Sequence, residues 1–448
     1  MADSGHQYGT GPVDYYNVYK GYLDAELARP PGAELAARAA RIGNRFRVAI
    51  DLVNRSGVPL SASNSASVYA MVYEDIKIGV TSRAVRDAVY SSVGTTLGNG
   101  ERRSFTLETH DLSPASWSNL HIVVFAEYRP GVSTGAYDLL QAAVADIAVP
   151  PDDFDGDGTS DILWHHTTRG DVWLWSMKGA TRTAETFVRT VGDTGWQIRS
   201  VGDHDGNGSA DLIWRHSTTG QLYFWPMKSM LTVAEIAMGA VDPAYDIVST
   251  GDYDGDGKAD LLWRHATNGD AWIWLMNGAT PLSVKYVDTV DPAYVVQDSG
   301  DLDGDGKADI VWRHATQGDV WVWLMNGTAR LSQTWLGTVP ELEYVIRGIA
   351  DHTGDGKADI LWHHAMRGEV WLWTMNGAAV THHTYIDTVP DTGYRIVGNG
   401  DYDGDGKADI LWHHATRGEV WLWLMNGSTK LSENYVGTVP DTGYRIIK

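Results

Sequence analysis

The sequence predicts an all-β protein, a six-bladed β-propeller of about 50-residue repeats (seven blades being the alternative) preceded by a β-sandwich domain, and three observations carry that expectation. Clusters of the form Asp-x-Asp-Gly-Asp-Gly, or a one-residue variant, begin at Asp153, Asp203, Asp252, Asp301, Asp351 and Asp401; a period near 50 residues is the range of propeller blades and too long for leucine-rich or ankyrin units. Composition agrees, since 49 Gly, 21 Tyr and 20 Trp against six Phe suit tight turns and aromatic strands. The runs between clusters, such as Ile410-Leu411-Trp412 and Val420-Trp421-Leu422-Trp423, are apolar at consecutive positions, as strands covered on both faces must be.

Residues 1–150 hold no repeat and carry 13 basic against 15 acidic side chains, so nearly all of the net charge of −22 belongs to residues 151–448. They are predicted to form an immunoglobulin-like sandwich. Asp14 to Ala28 reads as a short helix. Phe46 to Val53, Ala66 to Tyr73, Ser104 to Glu108 and His121 to Tyr128 read as partly alternating strands, broken by the turn-favouring Asn54-Arg55-Ser56-Gly57 and Asn99-Gly100. Val149-Pro150-Pro151 reads as a stiff linker.

Within 151–448 each repeat reads as four short strands: one before the loop, of which Tyr444 to Ile447 is an example, then Ile410 to His414, Val420 to Met425 and Leu431 to Val436 in the last copy. Asn277-Gly278, Asn326-Gly327, Asn376-Gly377 and Asn426-Gly427 are the expected hairpin tips between the last two strands. The first copy begins at its loop without an upstream strand, whereas the chain ends on a strand, Tyr444 to Ile447, without a loop. The ring is therefore expected to close by that terminal strand completing the first blade. The alternative borrows a seventh blade from the segment around Ala145 to Val149.

The loops carry candidate metal ligands at positions 1, 3, 5 and 9, with a backbone carbonyl expected at position 7. The six sets are Asp153, Asp155, Asp157, Thr159 and Asp161; Asp203, Asp205, Asn207, Ser209 and Asp211; Asp252, Asp254, Asp256, Lys258 and Asp260; Asp301, Asp303, Asp305, Lys307 and Asp309; Asp351, Thr353, Asp355, Lys357 and Asp359; and Asp401, Asp403, Asp405, Lys407 and Asp409. Hard oxygen donors wrapped around one point, with glycines at positions 4 and 6, suit Ca2+. The loop is not an EF-hand, because position 12 is Trp164, Trp214, Trp263, Trp312, Trp362 or Trp412 and not a bidentate Glu. The alternative, an acidic turn held by Asx bonds alone, meets the mutual repulsion of its carboxylates. Up to six structural calcium ions are expected.

Trp173, Trp272, Trp321, Trp371 and Trp421 share a strand face with the Trp two residues on. Packing between blades is one reading; stacking against sugar rings is the other. After each loop Trp comes a pair: His165-His166, Arg215-His216, Arg264-His265, Arg313-His314, His363-His364 and His413-His414. Adjacent strand residues face opposite ways, so a pair cannot chelate one metal. The second His is expected either to bond a neighbouring blade's backbone or loop, or to serve as a polar contact in a repeated pocket. The first member is a candidate donor to ligand oxygens.

With no cysteine, the chain has no disulfide scaffold or thiol nucleophile. Its acidic balance argues against nucleic acid, and no apolar run is long enough for a membrane span. Met1-Ala-Asp-Ser-Gly-His-Gln is too polar for a signal peptide. A His-Glu-x-x-His helix and a phosphate-cradling Gly-rich loop leading into a helix are missing, so a non-enzymatic role is expected.

The acidic loops, each followed by Ala-Asp-Ile-Leu-Trp or a variant, resemble the FG-GAP and VCBS-type repeats of integrin-α-like propellers and of the propeller lectins related to the Psathyrella velutina lectin. The resemblance spans residues 153–448. It implies a secreted or cell-surface protein with structural calcium and ligand pockets on the ring or between blades. Leu120 to Tyr128 also resembles the β-sandwich that follows a thioredoxin-like domain in some bacterial outer-surface proteins. The expected function is multivalent binding of carbohydrate or a cell-surface glycan, with protein–protein adhesion, or an accessory domain of a secreted enzyme, as the alternatives.

Overall fold

The computed structural model describes residues 31–42, 45–78, 80–113, 120–130, 137–148 and 150–448. The chain divides into two units, Met1–Ala148 and Val149–Lys448. The predicted helix over Asp14 to Ala28, and Val149 of the linker, lie outside the described residues.

The N-terminal unit contains β1 (Ala33–Ile42), β2 (Arg45–Asn54), β3 (Ser67–Ile78), β4 (Val80–Ser92), β5 (Arg102–Glu108), β6 (Leu120–Tyr128), β7 (Asp138–Val144) and β8 (Asp146–Ala148). They form two four-stranded sheets, β5-β2-β1-β8 and β4-β3-β6-β7. Every second residue faces inward. Phe46, Val48, Ile50 and Leu52 of β2, Val68, Ala70 and Val72 of β3, and Ile122, Val124 and Ala126 of β6 are buried in one shared core, the two-residue period of half-buried strands. β1 escapes sequence reading because Ala-Glu-Leu-Ala-Ala-Arg-Ala-Ala is helix-favouring; its ten-residue pairing with β2 overrides that preference. The seven-blade alternative is corrected here: Asp146–Ala148 pairs in parallel with Arg38–Ala40 and belongs to this unit.

The second unit is a repeat β-propeller containing six four-stranded sheets. In each, strands run from inner to outer with antiparallel pairing. The sixth, for example, is Tyr394–Gly400, Asp409–His414, Glu419–Asn426 and Thr429–Thr438. The C-terminal strand Tyr444–Ile447 pairs with Ile162–His166 and supplies the inner strand of the first sheet. The second strand is buried at every position in four sheets, as in Asp409–His414, and at all but its last residue, His216 or His265, in the other two. The outermost strand departs from the expected two-faced burial: Thr429–Thr438 alternates between exposed and half-buried, because no further strand covers it.

The hairpin tips also differ from expectation. Asn277 pairs with Thr280, so Gly278 and Ala279 form the turn. Only the glycine has positive φ, +59°, which puts Gly at the first central position as in a type II′ turn, and leaves Asn as the last paired residue. The second sheet is irregular at Pro226, which follows Gln221–Trp225. Proline cannot donate to a ladder, and a two-residue ribbon, Met227–Lys228 with Leu231–Thr232, replaces the regular hairpin there.

Candidate functional site

Each acidic loop leads into the second strand of its sheet; in all but the first copy, whose inner strand is the C-terminal Tyr444–Ile447, it also follows the inner strand. Its curl depends on glycines at positions 4 and 6, with φ of +79° at Gly156 and +86° at Gly158, a backbone state closed to most side chains. In the first loop, Asp153 Oδ1 accepts from the Gly156 N–H (2.7 Å) and Oδ2 from the Gly158 N–H (2.7 Å). Asp161 Oδ2 accepts from the Phe154 N–H (2.9 Å) and Oδ1 from the Met177 N–H on the third strand (3.0 Å). The position-9 carboxylate thus ties the loop to its own sheet, and the same two bonds recur in the other five copies.

Carboxylates at positions 1, 3 and 9 converge in five copies, with ligand atoms within 4.8 Å of one another: Asp153, Asp155 and Asp161; Asp203, Asp205 and Asp211; Asp252, Asp254 and Asp260; Asp301, Asp303 and Asp309; Asp401, Asp403 and Asp409. These groups could hold metal ions. Position 5 stands outside the triads; Asp157 Oδ1 accepts from the Thr159 N–H (2.9 Å). In three copies the position-7 lysine turns back onto this carboxylate, as Lys258 does on Asp256 at 2.8 Å. The fifth copy has Thr353 at position 3, where its hydroxyl donates to Asp351 (3.3 Å).

Burial, reinforced by repulsion from neighbouring loop aspartates and only partly offset by the backbone N–H bonds, makes these carboxyls hard to ionise. Asp161 is pushed up to about 9, and Asp211, Asp260, Asp309 and Asp409 to about 8, with burial the largest cause in each. Such a cluster favours either protons or a cation at its centre.

The loops also latch successive sheets together. The position-1 carbonyl accepts from the position-8 N–H of the next copy at 2.6–2.8 Å, from Ala210 N–H to Asp153 O onward. The position-2 carbonyl accepts from the next copy's hairpin, as in Gly278 N–H to His204 O at 2.7 Å. The sixth loop makes both bonds to the first copy, through Ser160 N–H to Asp401 O and Gly179 N–H to Tyr402 O, each 2.7 Å.

The His and Arg pairs occupy different places from those expected. The second His of each pair accepts, through Nδ1, N–H bonds from the turn just after it. Thr168 and Arg169 bond His166 at 3.2 and 3.0 Å, and the other five copies repeat this. The ring thus caps its own turn through Nδ1, which leaves the proton on Nε2 for the loop arriving from the preceding sheet. In four copies Nε2 faces a carboxylate: Asp441, Asp193, Glu341 or Asp391.

The first members are buried at the junction with the next sheet. His165, His363 and His413 meet Trp214, Trp412 and Trp164 edge-on, with ring centroids 5.3, 5.3 and 5.4 Å apart. Arg215, Arg264 and Arg313 lie over Trp263, Trp312 and Trp362 at 5.8, 4.7 and 5.1 Å. The contact again runs from each copy to the next and from the sixth to the first.

Trp173, Trp272, Trp321, Trp371 and Trp421 are half-buried, and each pairs across the sheet with an aromatic residue of the outermost strand: Phe187, Tyr286, Trp335, Tyr385 or Tyr435. These partners are 46–54% exposed. Hydroxyls and carboxylates adjoin them: the Tyr286 hydroxyl lies 2.8 Å from Thr289 Oγ1, which donates to Asp270 at 2.5 Å. A cavity of about 140 Å³ adjoins the Trp321–Trp335 pair, walled by Trp321, Trp323, Tyr294, Asp291 and Gln333. Sequence reading missed the outer-strand partners, whose signal was a single aromatic recurring in an otherwise polar strand.

The family model for the FG-GAP-like repeat matches residues 153–214, 203–263, 301–362 and 351–412, each span covering two successive loops. No curated protein matches the chain. Among solved structures, the chain is similar to a putative 6-phosphogluconolactonase from Bacteroides fragilis (11% identity, 87% of this chain and 99% of that one, TM-score 0.41). It is also similar to a β-propeller domain from Myceliophteria thermophila (10% identity, 73% and 91%, TM-score 0.33) and to a chain of a nidogen/laminin complex (13% identity, 53% and 95%, TM-score 0.30).

Proposed function

We propose that this chain, with FG-GAP-like repeats in a repeat β-propeller, is a calcium-stabilised, non-catalytic binding module that engages carbohydrate multivalently, acting in secreted form or at a cell surface. The observation that carries the reading is the fivefold recurrence of an exposed outer-strand aromatic paired with a half-buried Trp, beside hydroxyl and carboxylate groups. Aromatic faces suit the C–H faces of sugar rings, while the adjoining oxygens suit their hydroxyls. Several similar, shallow sites on one body gain avidity without any one being tight.

Calcium is supported by the all-oxygen donor set of the loops and by their excess of negative charge. Asp at positions 1, 3 and 9 would hold the ion, assisted by position 5. An ion there would neutralise carboxylates that also anchor the bonds between sheets. A six-bladed ring is supported by the closed circle of those bonds. The immunoglobulin-like reading of the first unit rests on its connectivity: the chain changes sheet after β2, β4, β5 and β7, a Greek-key pattern.

The test is a glycan-array screen of the whole chain in millimolar calcium and again in chelator. Binding to a related set of glycans that is lost in chelator is the expected result. A blank array from folded, calcium-loaded protein would overturn the carbohydrate reading and favour a protein partner.

A further inference from the structure

The inner strands of the repeats share a local defect. In five of the six sheets the pairing with the second strand skips one residue: Arg199, Val248, Gln297, Arg347 or Val397. A bulge of this kind re-aims the side chain of the skipped residue. Three of these residues, Gln297, Arg347 and Val397, line one cavity of about 250 Å³ together with Lys448 and isoleucines of the inner strands. The cavity is thus built from the inner edges of several sheets.

Its charge is opposite to that of the chain. Arg199 is matched by Asp246 at 2.9 Å and Lys448 by Asp298 at 3.4 Å, but among the described residues Arg347, Arg395 and Arg445 have no carboxylate within ion-pair distance. Arg395 is close enough to Arg347 to add to burial in holding that guanidinium below its ordinary pKa. Two buried donors here also lack an acceptor, Arg347 Nε and Asn399 Nδ2. The Asn399 amide is oriented by its other end, since Oδ1 accepts from Lys448 Nζ at 3.3 Å. Buried donors without partners are uncommon in folded proteins, and a guanidinium presents a fork suited to oxyanions.

We infer that this inner-strand cavity is a binding site for a small oxyanion, a carboxylate or a tetrahedral phosphate-like group, held by Arg347 and Asn399, with Lys448 orienting the Asn399 amide and, like Arg395, adding positive field. A volume of about 250 Å³ admits a small molecule and excludes a folded segment of a partner.

The experiment is calorimetric titration of the whole, calcium-loaded chain at constant ionic strength with two probes, sulfate and succinate. Saturable binding of sulfate alone would identify a tetrahedral anion, and binding of succinate a carboxylate; either supports the inference. Arg347→Gln should weaken binding at least tenfold, the scale of one charged hydrogen-bonding group, while Arg199→Gln should leave it unchanged. Should Arg347→Gln fail to fold, Lys448→Gln and Asn399→Ala provide the same test. No saturable binding of either probe, or binding indifferent to all three substitutions, overturns the inference.

Discussion

His363 and His413 show how a residue's surroundings override its type. Both are buried between sheets, and burial, with nearby arginines contributing, holds each at about 4. A folded-state pKa below the unfolded value near 6.5 means that their contribution is complete above pH 6.5 and is lost as pH falls toward 4. The loss approaches about 3 kcal/mol per group at the acid end. The second, third and fourth copies carry Arg215, Arg264 and Arg313 at this position, where Arg313 donates to the Val339 and Glu341 carbonyls at 3.1 and 3.4 Å. His363→Arg should therefore flatten the acid loss; urea unfolding at pH 7 and pH 5 would read it, and an unchanged slope would count against the assignment. The loop aspartates behave in the opposite sense. Asp309→Asn should reduce calcium stoichiometry by one and cost about 1–3 kcal/mol, since it impairs a carboxylate accepting two buried N–H bonds. Calcium titration followed by calorimetry would register both effects. The converging loop carboxylates were legible in the sequence because the repeat displays them at fixed spacing. The roles of the His and Arg residues were not, because they depend on which sheet lies opposite.

At the scale of the element, the outermost strand was the least predictable and holds the candidate ligand surface. Its alternating exposure follows from being an edge, and Phe187, Tyr286, Trp335, Tyr385 and Tyr435 remain open to solvent there. Trp335→Ala should leave thermal stability within about 1 kcal/mol, as expected for a half-exposed site. It should nevertheless speed dissociation from a multivalent glycan surface, and surface plasmon resonance at equal protein density is the appropriate measurement. The second strand of each sheet was readable because burial on both faces leaves a run such as Ile410-Leu411-Trp412 apolar at consecutive positions. β1 and β4 were not, since an alanine-rich segment and a polar edge strand take their structure from a neighbour: β4 pairs only with β3.

For the whole molecule, the contacts that matter are those between successive sheets. Removing Tyr444–Lys448 takes away the inner strand of the first sheet; a marked loss of cooperativity in thermal unfolding is expected, and full retention would speak against closure by that strand. Chelation should lower the propeller's melting temperature, because an ion bound only by the folded state stabilises it by mass action. The effect has a pH sign. Asp161, near 9, and four of its five equivalents, near 8, have folded values above the unfolded one. Without metal, their contribution is complete below about pH 4 and is lost as pH rises through 8 to 9. The chelator should thus destabilise more at pH 8.5 than at pH 6, as calorimetric scans at both values would record. The sequence by itself determined the all-β class, the repeat, its period and the acidic loops, since these are written in local spacing and backbone demands. Only the tertiary structure decided the partners of the His and Arg pairs, the exposed aromatic partners and the basic inner cavity, because each arises where residues distant in the chain are brought together by the packing of one sheet against the next.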